Sequence, residues 1–245
     1  MDLQNKVALL TGGATGIGFA YGIELLRNGV KYLTIVDLAT SVGAESVNKL
    51  NAEFGKGRVI FIAADVTKPK EFEAAFAKTV ETFGGLDILI NNAGVLNGPR
   101  WELMIEINYT AVVRGTLLGL QYMGKDKGGK GGVIVNIASI FGIDPVAYFP
   151  IYDGTKHAVI GLSRSFGMPY HYNKTGVRVL TMCPGITDTP LVSAVGDTVL
   201  DFIDAKEAVT ELNKFPFQKV DNVAQGMVHI IRSAKSGTVW VAEGN

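Results

Sequence analysis

Short apolar runs alternate with amphipathic segments along most of the chain. Runs of five to eight residues rich in Val, Ile and Leu predict buried strands at residues 6–11, 31–36, 58–64, 86–90, 132–138, 176–183 and 237–241. Helical apolar spacing predicts helices at residues 19–29, 41–54, 71–83, 101–122, 152–166 and 223–231. Strands that alternate with helices form parallel sheets covered on both faces. The pattern therefore predicts an α/β fold of the doubly wound type, with a mostly seven-stranded parallel sheet and helices on both faces.

The first predicted strand runs into a glycine-rich turn that opens the first helix. Glycines let the backbone approach a pyrophosphate, and the free N–H groups at the start of a helix face that anion. We interpret the turn as the pyrophosphate site of a dinucleotide, and the fold as a single Rossmann-like domain over residues 1–245. The residues assigned to this site are Gly12, Gly16, Ile17 and Gly18.

An acidic residue closes the second predicted strand. Asp37 lies nineteen residues after Gly18, close to the spacing at which a carboxylate binds the adenosine ribose in dinucleotide folds. Leu38 and Ala39 follow, so no basic side chain is at hand for a 2′-phosphate. We expect ribose binding by Asp37 rather than a plain strand end, and NAD rather than NADP as the cofactor.

Three further strand ends carry candidate cofactor contacts. Asp65, followed by Val66, is predicted either to contact the adenine amino group or to cap the next helix, and both interpretations stay open. The small and amide residues after the fourth strand permit close approach of a cofactor, although they also suit a simple turn. Hydroxyl and backbone groups after residues 176–183 are candidates for binding a carboxamide, with a plain proline turn as the alternative. These two groups are Asn92, Ala93 and Gly94, and Pro184, Gly185, Thr187 and Thr189.

Residues 188–217 follow the proline turn, and from residue 190 the strand–helix rhythm is broken by an apolar segment. An apolar segment placed after a cofactor-binding strand is typical of a lid over an apolar substrate. We predict that residues 188–217 cover the substrate. Plain scaffold is the alternative.

Tyr152 and Lys156 are the candidate catalytic pair, because residues four apart share one face of a helix. An ammonium group beside a phenol favours the phenolate and lowers the pKa of the tyrosine, which makes it a usable general acid or base. Ser139 comes directly after a buried strand, where its hydroxyl could hold a substrate oxygen against Tyr152. Asn108, inside a predicted helix, is expected either to bend that helix and hold a water or to satisfy a neighbouring carbonyl.

Composition narrows the range of partners. The 23 basic and 23 acidic residues balance, so no basic surface indicates nucleic acid. The single cysteine, Cys183, excludes an internal disulfide, and the three histidines form no ligand pair, so we expect no metal. No apolar run has the length of about 18–20 residues that a membrane span needs, and no signal segment precedes the first strand. We expect a cytoplasmic protein that meets neither nucleic acid nor membrane.

Together these motifs resemble the short-chain dehydrogenase/reductase family. Within it the chain looks most similar to NAD-dependent 15-hydroxyprostaglandin dehydrogenases and to insect-type alcohol dehydrogenases. The matching motifs occur in family order over nearly the whole chain: Thr11-Gly12-x3-Gly16-x-Gly18, Asp65-Val66, Asn91-Asn92-Ala93-Gly94, Asn108, Ser139, Tyr152-x3-Lys156 and Pro184-Gly185.

The resemblance implies a catalytic set of Ser139, Tyr152 and Lys156, with Asn108 completing a proton relay through water. It also implies that Thr187 and Thr189 anchor the nicotinamide carboxamide. Phe149 stands where prostaglandin dehydrogenases have a glutamine that contacts the substrate, which implies a more apolar pocket here.

The expected function is therefore an NAD-dependent oxidoreductase that interconverts a secondary or small alcohol and its carbonyl compound. A catalytically silent NAD-binding or storage protein of the same fold is the alternative. The substrate is expected to be small and apolar. Relatives pair through the helices that match residues 104–123 and the helix near Tyr152, which implies a homodimer, with a tetramer as the alternative.

Overall fold

The computed structural model describes residues 1–244 and contains one seven-stranded sheet in the order β3-β2-β1-β4-β5-β6-β7. Every neighbouring pair of strands is parallel. The strand order reverses between β1 and β4, and ligands bind at this kind of switch point, beyond the carboxyl ends of the strands. The predicted fold class is confirmed. The strands are β1 Val7–Thr11, β2 Tyr32–Asp37, β3 Val59–Ala63, β4 Ile88–Asn91, β5 Gly132–Ile137, β6 Val177–Pro184 and β7 Val239–Ala242.

Helices cover both faces of the sheet. One hydrophobic cluster joins the central strands to helices α1, α2 and α10, and a second joins the opposite face to α3 and α5. The inner strands are buried on both sides, which accounts for their uninterrupted apolar runs. The helices are α1 Gly16–Arg27, α2 Gly43–Phe54, α3 Pro69–Phe83, α4 Trp101–Ile105, α5 Ala111–Met123, α6 Pro150–Phe166, α7 Pro169–Thr175, α8 Pro190–Ser193, α9 Ala205–Leu212 and α10 Val220–Ser233.

The predicted helix at residues 101–122 is interrupted. Helices α4 and α5 are joined by a π-helical turn, Glu106–Thr110, with Asn108 buried at its centre. Such turns insert one extra residue into a helix and occur frequently at functional sites. The helix is disturbed at Asn108, as one interpretation of the sequence expected. The prediction of one unbroken helix over residues 101–122 was wrong.

Helix α7 was not predicted. Pro169 occupies its first turn and Gly176 follows its end with a φ of 65°. Proline at the start and glycine just past the end are ordinary helix boundary signals. The short length of α7, 7 residues, gave too little periodicity to detect.

Within residues 1–244, every helix falls short of the length and apolarity that a membrane span requires. The same part of the chain contains no cluster of three or more His, Cys, Asp or Glu side chains suited to a metal ion.

Two glycines provide a test of helix packing. A Cβ added at Gly115 on α5 would lie 2.1 Å from Asn91 Oδ1, and the other amide atom of Asn91 donates to Asn136 Oδ1 at 2.8 Å. We therefore expect Gly115→Ala to lower the free energy of unfolding by about 1–3 kcal/mol through overpacking. Gly161 on α6 has nothing within 4 Å of the same added atom, so Gly161→Ala should raise it by about 0.5–1 kcal/mol. Urea denaturation of both variants measures the difference, and equal effects would contradict this account of the packing.

Candidate active site

A cavity of about 350 Å³ lies beyond the carboxyl ends of the strands at the switch point. Its wall brings together residues from strands β2, β5 and β6, from helices α1, α6, α8 and α9, and from the loops between them. All but two of the predicted site residues line it: Gly12, Gly16, Ile17, Gly18, Asp37, Asp65, Val66, Asn92, Ala93, Gly94, Ser139, Tyr152, Lys156, Pro184, Gly185, Thr187 and Thr189. The exceptions are Asn108 and Phe149.

The glycine turn forms a smooth backbone surface at one end of the cavity. Gly12 and Gly16 have φ values of 64° and 56°, in the region where side chains are strained. A Cβ added at Gly18 would lie 2.1 Å from the Gly12 carbonyl oxygen. Helix α1 begins at Gly16, and no side chain caps its free N–H groups. A close backbone approach combined with a free helix N-terminus fits a pyrophosphate.

The carboxylate of Asp37 is held at the end of β2. Its Oδ2 accepts a hydrogen bond from the Ala14 N–H at 3.0 Å, and its Oδ1 accepts one from the Leu38 N–H at 2.8 Å. A carboxylate keeps further lone pairs after these two bonds, so it can still accept from a ribose hydroxyl. Its negative charge would repel a phosphate at the same place.

Asp65 does not cap helix α3. Its Oδ1 accepts hydrogen bonds from the N–H and hydroxyl of Thr67, at 2.9 and 2.8 Å, while Lys68 holds the N-cap position without a side-chain bond. The capping interpretation was therefore wrong. Asp65 folds its own turn and lines the cavity, where the adenine interpretation stays a prediction.

The candidate catalytic side chains converge where β5 ends and α6 begins. Ser139 lies two residues after the end of β5, and Tyr152 and Lys156 lie one turn apart on α6. Lys156 is buried, and its Nζ donates to the Ile137 carbonyl oxygen at 3.0 Å. The same Nζ lies 5.4 Å from the centre of the Tyr152 ring. Phenol, hydroxyl and ammonium thus share one wall of the cavity.

Burial dominates the electrostatics of this wall. Burial raises the pKa of Tyr152 to about 12, and the hydrogen bond with Ser139 opposes that rise only in part. Burial likewise lowers the pKa of Lys156 to about 8. In this chain by itself the pKa of Tyr152 is thus raised, because desolvation disfavours the charged form of both groups, and a lowering by Lys156 stays a prediction.

Asn108 lies behind the cavity wall. Its Oδ1 accepts from the Val95 N–H and its Nδ2 donates to the Val95 carbonyl oxygen, both at 2.8 Å. The amide also donates to Thr155 Oγ1 at 3.3 Å, and that hydroxyl donates to the Tyr152 carbonyl oxygen at 2.7 Å. Of the two sequence interpretations, the side chain does satisfy a neighbouring carbonyl, while the water relay stays a prediction.

A gap separates Asn108 from Lys156. A Cβ added at Gly94 would lie 3.4 Å from Asn108 Oδ1 and 3.6 Å from Lys156 Nζ. The missing side chain of Gly94 therefore leaves a polar space between the two groups, of the kind that a water needs.

Phe149 does not line the large cavity. It is buried against Phe141, with ring centroids 5.9 Å apart, and Phe141 is the ring that faces the cavity. The adjacent ring of Phe141 faces the cavity instead, and the direct contact of Phe149 with substrate stays a prediction. The end of the cavity away from the glycine turn is lined by Leu96, Phe141, Ile186, Val192, Val195 and Leu212.

Comparison with known proteins now places the chain. A model of the short chain dehydrogenase family matches residues 6–199. The chain belongs to the short-chain dehydrogenases. It is 38% identical over 234 residues to 15-hydroxyprostaglandin dehydrogenase [NAD(+)] of Mus musculus, covering 94% of this chain and 87% of that protein. It is 35% identical over 242 residues to alcohol dehydrogenase 2 of Ceratitis capitata, covering 99% of this chain and 93% of that protein.

The fold of this short-chain dehydrogenase is also close to a solved structure. The crystal structure of levodione reductase superposes with a TM-score of 0.84 and 26% sequence identity, covering 98% of this chain and 97% of that one.

Sequence reasoning missed two threonines that position the site of this short-chain dehydrogenase. Thr11 Oγ1 accepts from the Asn92 and Ala93 N–H groups at 3.0 and 3.1 Å, which ties β1 to the end of β4. Thr155 links Asn108 to the Tyr152 backbone. Thr11 ends a predicted strand and Thr155 lies between Tyr152 and Lys156, so both positions could have been singled out. A threonine in a sequence does not, however, indicate a hydrogen bond to a residue far away in the chain.

The lowered pKa of Lys156 predicts a pH effect on stability. Below about pH 8 both folded and unfolded chains carry the ammonium. Between about 8 and the ordinary value of 10.5 only the unfolded chain holds that proton, so the contribution of Lys156 to the free energy of unfolding rises with pH through this window. Lys156→Met should lack the rise.

Urea denaturation of wild type and Lys156→Met measures this contribution. The measurements run at several pH values from 7.5 to about 10, just below the ordinary lysine pKa of the unfolded chain. Lys130→Met, in the exposed loop after α5, is the matched control and should keep the wild-type slope. Parallel curves for wild type and Lys156→Met would contradict the assignment.

Proposed function

We propose that this chain is an NAD-dependent oxidoreductase that interconverts an uncharged, apolar secondary alcohol and its ketone. One observation carries the proposal: Ser139, Tyr152 and Lys156 face the same cavity as the glycine turn and Asp37. Binding a nucleotide alone does not require Ser139, Tyr152 and Lys156 together. The NAD-dependent and alcohol dehydrogenase relatives support this assignment.

The residues present fit NAD. The glycine turn would hold the pyrophosphate, Asp37 and Lys156 the riboses, Asp65 and Val66 the adenine, and the loop after β6 the carboxamide through Thr187 and Thr189. When bound, NAD supplies the acceptor for the hydride that leaves the alcohol carbon. The bound NAD would also lie beside Asn92, Ala93, Gly94, Pro184 and Gly185, which line the cavity.

The proton chemistry belongs to Tyr152. With its pKa raised to about 12, the phenol is protonated at neutral pH and can donate its proton to a ketone oxygen. Alcohol oxidation needs the reverse transfer and should therefore become faster as the pH rises. The Ser139 hydroxyl would hold the same substrate oxygen. Asn108 and Lys156, on either side of the gap at Gly94, would pass the proton through a water.

The cavity wall points to the substrate class. Three charged side chains line the cavity, namely Asp37, Asp65 and Lys156. The first two belong to the proposed nucleotide end, and Lys156 is proposed to hold a ribose of the same nucleotide. A substrate carboxylate would thus meet no free cation at the apolar end. An uncharged alcohol fits better, and we propose that residues 188–217, which supply Val192, Val195 and Leu212, cover it.

The proposal also covers how copies of this chain associate and where in the cell the protein works. Trp101 on α4 is 44% exposed and Leu117 on α5 is 51% exposed, which leaves apolar surface on the helices expected to pair. We propose a cytoplasmic homodimer, with a tetramer as the alternative, and sedimentation velocity distinguishes them from a monomer.

Removal of the phenolic hydroxyl tests the mechanism. Tyr152→Phe should lower kcat by about 100-fold or more, the range of general acid–base catalysis, while NAD binding persists. The assay is the rise in NADH absorbance with a panel of secondary alcohols from short alkanols to terpenols and steroids. Tyr170→Phe is the matched control, because that tyrosine is 75% exposed on α7.

Three outcomes decide between the candidate functions. Turnover that disappears only in Tyr152→Phe supports the dehydrogenase. Tight NAD binding without turnover of any alcohol, or of the matching ketones with NADH, supports the binding or storage protein. Turnover that survives in Tyr152→Phe shows that another group moves the proton.

Cofactor preference offers a second test. Asp37→Ser removes the charge that would oppose a 2′-phosphate, so the ratio of kcat/KM with NAD to that with NADP should fall by about tenfold or more. Asp144→Ala, an exposed carboxylate away from the cavity, should leave the ratio unchanged. An unchanged ratio in Asp37→Ser would remove Asp37 from the ribose site.

A further inference from the structure

A buried carboxyl group directly follows Tyr152 on the first turn of α6. Asp153 is 3% exposed. Within residues 1–244 no salt bridge joins it to a cationic side chain. Its Oδ1 is buried without a hydrogen-bond partner. Burying an ionisable group without a counter-charge costs free energy, so the remaining contacts of Asp153 decide its role.

Those contacts hold residues 143–149, which we call the pocket loop. Asp153 Oδ2 accepts a hydrogen bond from the Val146 N–H at 2.8 Å. The backbone N–H of Asp153 donates to the Phe149 carbonyl oxygen at 2.9 Å. One residue of α6 therefore ties down both the middle and the end of the pocket loop.

The pocket loop supports the aromatic wall of the cavity. Phe149, at its end, stacks on Phe141, and Phe215 packs edge-on against the other side of Phe141 with ring centroids 5.4 Å apart. Only Phe141 of these three rings lines the large cavity. The position of that ring thus depends on the loop that Asp153 holds.

We propose that Asp153 is a positioning residue that clamps the pocket loop to α6 and thereby sets the aromatic wall against which the apolar part of the substrate packs. The proposal rests on the proposed function for the identity of that ligand. An anionic acceptor suits the role, because a hydrogen bond to a carboxylate is about twice as strong as one between neutral groups.

The charge state of Asp153 agrees with this role. Burial raises the pKa of Asp153 to about 6, against the bond from Val146 and the nearby charge of His157, which lower it. The carboxyl group is therefore mostly ionised at neutral pH. The His157 ring lies one turn along α6, with its Nδ1 2.9 Å from the Asp153 carbonyl oxygen.

Two substitutions separate the clamp from a general structural effect. Asp153→Ala removes the acceptor, whereas Asp153→Asn keeps an oxygen for the Val146 N–H. For a long apolar alcohol, Asp153→Ala should raise KM by about tenfold, the effect of losing one hydrogen bond to a charged group. For a short alkanol, which has few atoms to contact the wall, KM should change much less. Asp153→Asn should restore most of the affinity, and Asp144→Ala, on the exposed part of the pocket loop, is the control.

Equal KM values for the Ala and Asn variants, or equal increases for the long and short alcohols, would overturn the clamp. So would a fall in kcat without a change in KM.

Amide hydrogen exchange tests the clamp without any substrate. The Val146 N–H of wild type should exchange slowly although it lies in a loop, and it should exchange faster in Asp153→Ala while amides of the central strands stay protected. Exchange of the wild-type Val146 amide at the unprotected rate overturns the clamp even if Asp153→Ala does not fold. Absence of turnover in wild type with a protected Val146 amide would instead overturn the proposed function and leave the clamp standing.

Discussion

The side-chain amide of Asn92 donates to the Thr11 and Gly12 carbonyl oxygens, at 3.0 Å each, across the point where the order of strands reverses. This crossing adds to the β1–β4 pairing at the switch point, where helices leave toward opposite faces from these two strands. Thr11 strengthens the joint by accepting from two N–H groups after β4. The glycine turn can be smooth because this joint, rather than side chains of its own, supports it.

Most of the fold and of the cavity wall could be predicted from the sequence, since both depend on local patterns. Each inner strand is an apolar run, and parallel strands bring their carboxyl ends to one edge, so residues after those runs meet whatever their separation in the chain. For this reason one cavity is lined by Asp37, Ser139 and Thr187. Features that depend on side-chain contacts across the fold could not be predicted. In the π-helical turn the side chain of Asn108 bonds to the backbone of Val95, and the ring of Phe149 stacks on that of Phe141.

The electrostatics of the catalytic pair could not be predicted for a related reason. Four residues of spacing put Tyr152 and Lys156 on one helix face, but spacing carries no information on how much water surrounds them. Burial of both groups raises the pKa of the phenol and lowers the pKa of the ammonium, so each is moved toward its neutral form. Asp153 adds a negative charge that raises the pKa of Tyr152 further. At neutral pH the phenol of Tyr152 is therefore uncharged, while Lys156, with a pKa of about 8, still carries its proton.

The two ends of the cavity differ in what holds them in place. The proposed nucleotide end is made of backbone and short side chains at strand ends, so its shape follows from the sheet itself. The apolar end is made of Leu96, Phe141 and Ile186 with side chains of residues 188–217, and the pocket loop packs against this group chiefly through aromatic and aliphatic contacts. Such contacts tolerate exchange of one apolar side chain for another when volume is kept. Exchange of apolar side chains around Phe141 can therefore change the shape of the apolar end without disturbing the glycine turn.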